Sequence, residues 1–226
     1  MLPRRPNMYK VEELFDLTHT RAAEYLKKFM WPHEALSGIK PMIEALGAEL
    51  PKDEFEHPAP HVWIARDAVV APTACLGEYV IVDHGAEVRH CAYIRGSALI
   101  GCNTVVGNST ELKNVILFDN VQVPHYNYVG DSILGYHAHM GAGAVTSNVK
   151  GDRTLVVIRD GSETLETNLK KMGAMLGDWA EIGCNSVLNP GTIIGRNAQV
   201  YPLTSVRGTV PANCIHKGHE IVEKHP

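Results

Sequence analysis

The stretch IARDAVVAPTACLGEYVIVDHGAEVRHCAYIRGSALIGCNTVVGNSTEL, residues 64–112, sets an aliphatic side chain at every sixth position: Ile64, Val70, Leu76, Val82, Val88, Ile94, Ile100, Val106 and Leu112, with Phe118 closing the series. Four residues after most of them stands a small or β-branched residue: Ala68, Ala74, Val80, Ala86, Ala92, Ala98, Thr104 and Thr110. A helix repeats about every 3.6 residues and a half-buried strand about every 2, so neither explains a strict six. Six is the period of a coil whose sides are short strands. Three sides make one triangular turn, and stacked turns bury a continuous core.

The same beat returns at Leu176, Ile182, Leu188, Ile194, Val200 and Val206. Ile100-Gly101-Cys102-Asn103 recurs as Ile182-Gly183-Cys184-Asn185 and, nearly, as Ile194-Gly195-Arg196-Asn197. Asparagine tolerates the left-handed backbone that tight corners demand. The expected fold is mainly β, a repeat domain over 59–226. Within it a hairpin is expected at about 150–170, with strands at Thr154–Ile158 and Glu163–Glu166 and Arg159-Asp160-Gly161-Ser162 at the turn. After Val206 the rhythm fades into a polar tail. Residues 1–58 read instead as helical. Val11, Leu14 and Phe15, then Ala22, Ala23, Leu26 and Phe29, and then Ala35, Leu36, Ile39, Met42, Ile43 and Leu46 recur at three- and four-residue steps until Gly47 stops them. A cap on the main body, or a docking arm for a partner protein, is expected of this segment.

The chain has 226 residues, 45% hydrophobic and 20% charged, with a net charge of −4. Nothing in that balance draws it to nucleic acid or anionic lipid. Its five cysteines form no CxxC pair, Met1-Leu2-Pro3-Arg4-Arg5 leads into no apolar signal-peptide core, and no apolar run approaches the ~18 residues of a membrane span. A cytoplasmic, reduced protein is the expectation.

Between Gly107 and Gly143 the rhythm slips, and Glu111, Lys113, His125, Tyr126, Tyr128, His137 and His139 collect there. Arg95 and Lys113 are eighteen apart, so they stack on adjacent coils, about 4.8 Å apart. Two like charges at that distance repel by roughly 1 kcal/mol in water and about 3 at an effective dielectric of 20. A bound phosphate explains such a column; the alternatives are that both side chains simply point into solvent or that Asp131 neutralises them. If the repulsion is unrelieved, Lys113→Ala raises stability in the absence of ligand. His125, in Pro124-His125-Tyr126-Asn127-Tyr128, is a candidate general base, with Glu111 fourteen residues earlier to orient or charge it. His137 and His139, two apart on an expected strand, face one side and suit a metal. The glycines of Met140-Gly141-Ala142-Gly143-Ala144 fall on the six-residue beat and read as a corner of close backbone approach.

GNSTELKN, HYNYVGDSILG and MGAGAVTSN together resemble the hexapeptide-repeat acyltransferases. They are most similar to the acetyltransferase half of the bacterial bifunctional enzyme that makes UDP-N-acetylglucosamine from glucosamine-1-phosphate. The resemblance spans about Ile64 to Val206 and implies a left-handed parallel β-helix, assembled as a homotrimer with sites between subunits. It also implies acetyl-CoA as co-substrate and an amino-sugar phosphate or nucleotide sugar as acceptor. By position it makes His125 the base and Glu111 its acidic partner. Arg95, Lys113, Tyr128 and Lys171 fall where the sugar phosphate is held, and Asn148 and His139 fall near the amino sugar. Ala142 and Cys184 fall where backbone meets the acetyl-CoA arm. His139 stands where that family has asparagine, Val149 where it has tyrosine, and the nucleotidyltransferase domain is replaced by the helical start. Two other readings stay open. One is a metalloenzyme resembling the γ-class carbonic anhydrases, drawing on His84, His90, His137 and His139. The other is a non-catalytic scaffold whose helical start docks a partner.

Overall fold

In a computed structural model, which describes residues 8–224, the chain forms a parallel β-solenoid of about nine turns with a helical N-terminal segment packed along it. The part of the expected helical segment that falls on residues 1–7 lies outside the described residues.

Each turn has three sides. The first face stacks Val62–Ala65, Val80–Val82, Ala98–Ile100, Ala174–Leu176, Thr192–Ile194 and Thr209–Val210. The second stacks Val69–Val70, Glu87–Val88, Val105–Asn108, Gln122–His125, His139–Met140, Glu181–Ile182, Gln199–Val200 and Cys214–His216. The third stacks Cys75–Leu76, Tyr93–Ile94, Val145–Thr146, Val187–Leu188 and Ser205–Val206. Two long strands, Glu111–Leu117 and Tyr128–Leu134, start on the third face and turn the corner onto the first.

The six-residue beat points inward as expected. From Val82 to Phe118, and again from Leu176 to Val206, every beat residue is buried; Ile64, Val70 and Leu76, in the first turn, are partly so. Asn103, Asn185 and Asn197 take the corners with φ near +55°. The slip is a lost residue at one corner. Val80 pairs with Ala98, eighteen on, but Ala98 pairs with Val115 and Val115 with Ser132, each seventeen on. Asn114 and Asp131 make that tight corner with φ of 55° and 48°.

Several boundaries need correction. The solenoid does not end at Val206: Ile193 pairs with Thr209 and Gln199 with Ile215, sixteen on. Two residues fewer in the turn hide the beat without breaking the coil. The helical part ends before residue 58, since Phe55–Ala59 is a strand antiparallel to Val62–Ala65. At the far end Ile221–Glu223 likewise runs antiparallel to Cys214–His216. The hairpin strands are Val157–Asp160 and Glu163–Glu166, so Arg159 and Asp160 lie in the ladder and Gly161, φ 57°, leads the turn.

The helical segment comprises α1 (Val11–Leu14), α2 (Ala23–Leu26), a 3₁₀ stretch Pro32–Gly38 and α3 (Ile39–Glu49). Gly47 does not stop α3; it lies inside it, where a Cβ would meet the Trp63 indole at 2.5 Å. This segment exists because the first face is apolar on its outer side too. Ile81, Leu99, Ile116, Ile133, Met175 and Ile193 alternate with the inward residues, yet each is 4% exposed or less. α3 covers the strands at 80, 98 and 115, the 3₁₀ stretch covers the strand at 128, and the inserted hairpin covers those at 192 and 209. Burying each such side chain contributes about 1.5–3 kcal/mol. Polar latches fix the register: Arg21 forks onto the buried carboxylate of Asp83, and Asp178 accepts the Asp16 and Tyr136 N–H groups.

Candidate active site

His125 ends a second-face strand and is exposed at the corner leading to the third face. Along this corner each carbonyl accepts an N–H from the turn above: Asn108 from Tyr126 (2.9 Å), His125 from Gly143 (3.0 Å), Ala142 from Asn185 (2.8 Å) and Cys184 from Leu203 (2.9 Å). His125, Ala142 and Cys184 therefore stand one above another, about 4.8 Å per turn. The glycines between them permit this. A Cβ on Gly141 would lie 2.8 Å from the Cys184 nitrogen, and Gly143 takes φ +72°. The column is an open edge along which an extended ligand can lie with backbone on one side.

The polar residues of the third face form two charge pairs. Arg95 donates from Nη1 to Glu111 Oε1 at 2.9 Å, and Lys113 donates from Nζ to both Asp131 oxygens at 3.0 and 3.2 Å. Arg95 and Lys113 do stack on adjacent turns, but their repulsion is offset by carboxylates. The expected stabilisation by Lys113→Ala is thus reversed. Asp131 is 4% exposed, and without Lys113 its charge is left to amides alone. Lys113→Ala should lower unfolding stability by about 1–3 kcal/mol in urea titration; an unchanged midpoint would show the pair to be ordinary surface. Glu111 is corrected as well. It accepts a charge-assisted bond from the Arg95 guanidinium and makes none to the His125 ring. His125 itself is anchored through its main chain: the Asn127 side-chain oxygen accepts the His125 backbone N–H at 3.0 Å.

Around Asp131 the tight corner becomes a ladder. Asn114 and Asn148 both donate amide hydrogens to its carboxylate, Asn148 also reaches the Tyr128 hydroxyl at 3.2 Å, and Asn114 donates to the Leu36 carbonyl at 3.1 Å. Burial, then the charges of Asp131 and Glu111, raise the Tyr128 pKa, so its phenol stays a hydrogen-bond donor. Lys171 is exposed, one residue before Met172, whose N–H bonds the Asn148 carbonyl at 3.0 Å. Lys113, Tyr128, Asn148 and Lys171 are thus gathered at one corner, with Arg95 one turn below Lys113. Asn114 was not picked out from the sequence; its signal is the recurrence of Asn114, Asp131 and Asn148 at steps of seventeen. From this corner an open cleft of about 600 Å³ runs down past Arg95 and Ser97 to Tyr79, with Lys40 of α3 on its wall.

His137 and His139 do not share a strand face. His137 sits in the corner with φ 57° and stacks on Trp179 at 4.0 Å, whereas the strand starts at His139, whose Nδ1 lies 2.8 Å from Glu181. Glu181 was not foreseen, since an inserted loop separates the two in sequence. His84 lies against Asp67 and Glu54, and His90 against Thr73. Among the described residues no three His, Cys, Asp or Glu side chains come together to hold a metal. Nor, among them, is any helix long and apolar enough to cross a membrane.

Residues 76–161 match the family model of the GMPPB C-terminal domain. The sequence is similar to proteins named bifunctional protein GlmU. That of Methanocaldococcus jannaschii is 32% identical over 132 residues, which are 58% of this chain and 32% of the relative. That of Brevibacillus brevis is 34% identical over 134 residues, 59% of this chain and 25% of the relative. The chain thus spans about a third or less of the length of these relatives. Similar solved structures include PerB from Caulobacter crescentus in complex with CoA and GDP-perosamine (19% identity, TM-score 0.35, 82% of this chain and 67% of that one). Another is the acetyltransferase domain of PglB from Neisseria gonorrhoeae (17% identity, TM-score 0.37, 80% and 64%). The similarity to a bifunctional enzyme with an acetyltransferase half is therefore as the motifs suggested.

Proposed function

We propose that this chain is an acetyl-CoA-dependent N-acetyltransferase whose acceptor is an amino sugar carrying a phosphate or a nucleotide, in the supply of cell-envelope precursors such as UDP-N-acetylglucosamine. The observation that carries the proposal is the corner column. It puts a solvent-facing imidazole, His125, in line with the backbone at Ala142 and Cys184, beside a third face bearing Arg95, Lys113, Tyr128 and Asn148. The similarity to GlmU proteins supports it.

In the proposed reaction the acetyl-CoA arm lies along Ala142 and Cys184, with its thioester near His125. The acceptor amine attacks the thioester carbonyl, the nitrogen–carbon bond forms, and the carbon–sulfur bond breaks to release the CoA thiolate. His125 takes the proton that the amine must lose and is placed to return one to the thiolate. Arg95, Lys113 and Lys171 supply positive charge for the acceptor's phosphate. Tyr128 donates from its phenol, and Asn148 and His139 contact the sugar. The test is thiol release from acetyl-CoA with a panel of amino-sugar phosphates and nucleotide-linked amino sugars. Turnover above the hydrolysis background is expected; none with any acceptor would leave a binding module instead.

The proposal includes a homotrimer in a cytoplasmic setting. The chain's own helices and hairpin cover the outer apolar side of the first face, so that face is not free for another subunit. Subunit contacts then fall to the second and third faces, where Val69, Tyr93 and Val187 are exposed. Light scattering should give three times the 24.8 kDa chain mass at micromolar concentration. A monomer mass would exclude a site shared between subunits.

A further inference from the structure

We infer that the helical N-terminal segment completes the acceptor site through Lys40, and that the acceptor it selects carries a diphosphate, as in a nucleotide-linked amino sugar, rather than a single phosphate. The inference rests on the acceptor site proposed above and adds Lys40 and Tyr79, which that proposal does not use. Three cations line the 600 Å³ cleft, Lys40, Arg95 and Lys113. Arg95 is paired with Glu111 and Lys113 with Asp131. Lys40 has no carboxylate within ion-pair distance among the described residues, although Glu78 also lines the cleft. Its ammonium is held over the Tyr79 ring, 4.1 Å from the centroid, and His61 stacks against the same ring at 4.3 Å. A cation on an aromatic face keeps its charge while its flexible stem is restrained, so it meets an anion at low entropic cost.

Position decides what that anion is. Lys113 pairs in register with Gly130, in the turn of His125, so it lies one turn below the candidate base. Arg95 lies one turn further down, and Tyr79 another, its carbonyl accepting the Ala98 N–H. At about 4.8 Å per turn Tyr79 is roughly 14 Å below His125 along the axis. An amino-sugar monophosphate whose amine meets His125 ends its phosphate at the level of Lys113 and Arg95. Only a group joined beyond that phosphate comes down the cleft to Lys40. A second phosphate is the group whose charge matches, and the nucleoside beyond it has the open end of the cleft.

The test is equilibrium binding, which needs no turnover. The full-length chain, wild type, Lys40→Gln and Lys40→Arg, is titrated with a uridine- and a guanosine-diphosphate-linked amino sugar and with the matching amino-sugar-1-phosphate. Thermal melts check the fold of each variant. Wild type should prefer a diphosphate-linked sugar over the monophosphate. Lys40→Gln should weaken the diphosphate-linked sugar about tenfold and so remove the preference, and Lys40→Arg should restore it. Equal weakening of both ligands, or no weakening of either, overturns the inference. If acetyl transfer fails with every acceptor while the Lys40-dependent preference remains, the catalytic proposal falls and this one stands.

Discussion

His125→Ala is expected to lower kcat for acetyl transfer about 10²- to 10⁴-fold, the usual contribution of a positioned general base. An amine near neutral pH is mostly protonated, and attack on a thioester needs its lone pair. The KM for acetyl-CoA should change little, because in the proposed reaction the cofactor is held along backbone at Ala142 and Cys184 and the imidazole acts only as the proton moves. The fold should survive: His125 is exposed, and the bonds its residue makes are through its backbone N–H and carbonyl. Stopped assays of thiol release over a range of acetyl-CoA concentrations separate kcat from KM. Wild-type turnover in His125→Ala, with turnover abolished in His139→Ala, would move the centre to the histidine that Glu181 holds.

Asp131→Ala should be the most costly single change in the acceptor corner. The Asp131 carboxylate takes hydrogens from Lys113, Asn114 and Asn148, and it does so almost out of water. Removing it leaves an ammonium and two amides without their acceptor, at about 3 kcal/mol by analogy with broken buried pairs. For a chain of this size that lowers Tm by roughly 6–12 °C. The acceptor KM should rise with it, since Lys113, Asn148 and, through Asn148, Tyr128 lose a common anchor. Differential scanning calorimetry alongside acceptor titration gives both numbers. A Tm within a degree of wild type would mean that the corner is held by backbone alone.

The solenoid was legible because its core repeats with the chain: Val82, Ile94 and Leu112 obey one spacing whatever lies between them. What the spacing could not show was the outer side of the first face. Val80-Ile81-Val82 and Ala98-Leu99-Ile100 read as ordinary strand interiors, and only the stacked register reveals that Ile81 and Leu99 need a cover. Pairing was hidden for a different reason. Glu111 lies within two residues of equal sequence distance from Arg95 and His125, so separation gives no ground for choosing, whereas the strength of a guanidinium–carboxylate bond does. The positions named for the phosphate do cluster, but sequence distance left Lys40 in another part of the chain, more than fifty residues before Arg95.

The reversed strands Phe55–Ala59 and Ile221–Glu223 carry a consequence for how copies of this protein meet. A stack of parallel coils ends in unpaired N–H and C=O groups of matching polarity, a template on which another copy can continue the same sheet. Head-to-tail addition of that kind does not close and grows into fibres. At one end the first face finishes on Phe55–Ala59, and at the other the second face finishes on Ile221–Glu223. Each presents a strand running the wrong way to be the next coil, and Glu56 and Glu223 put charge on those edges. On those two faces the edge offered to another copy cannot be continued as a further parallel coil.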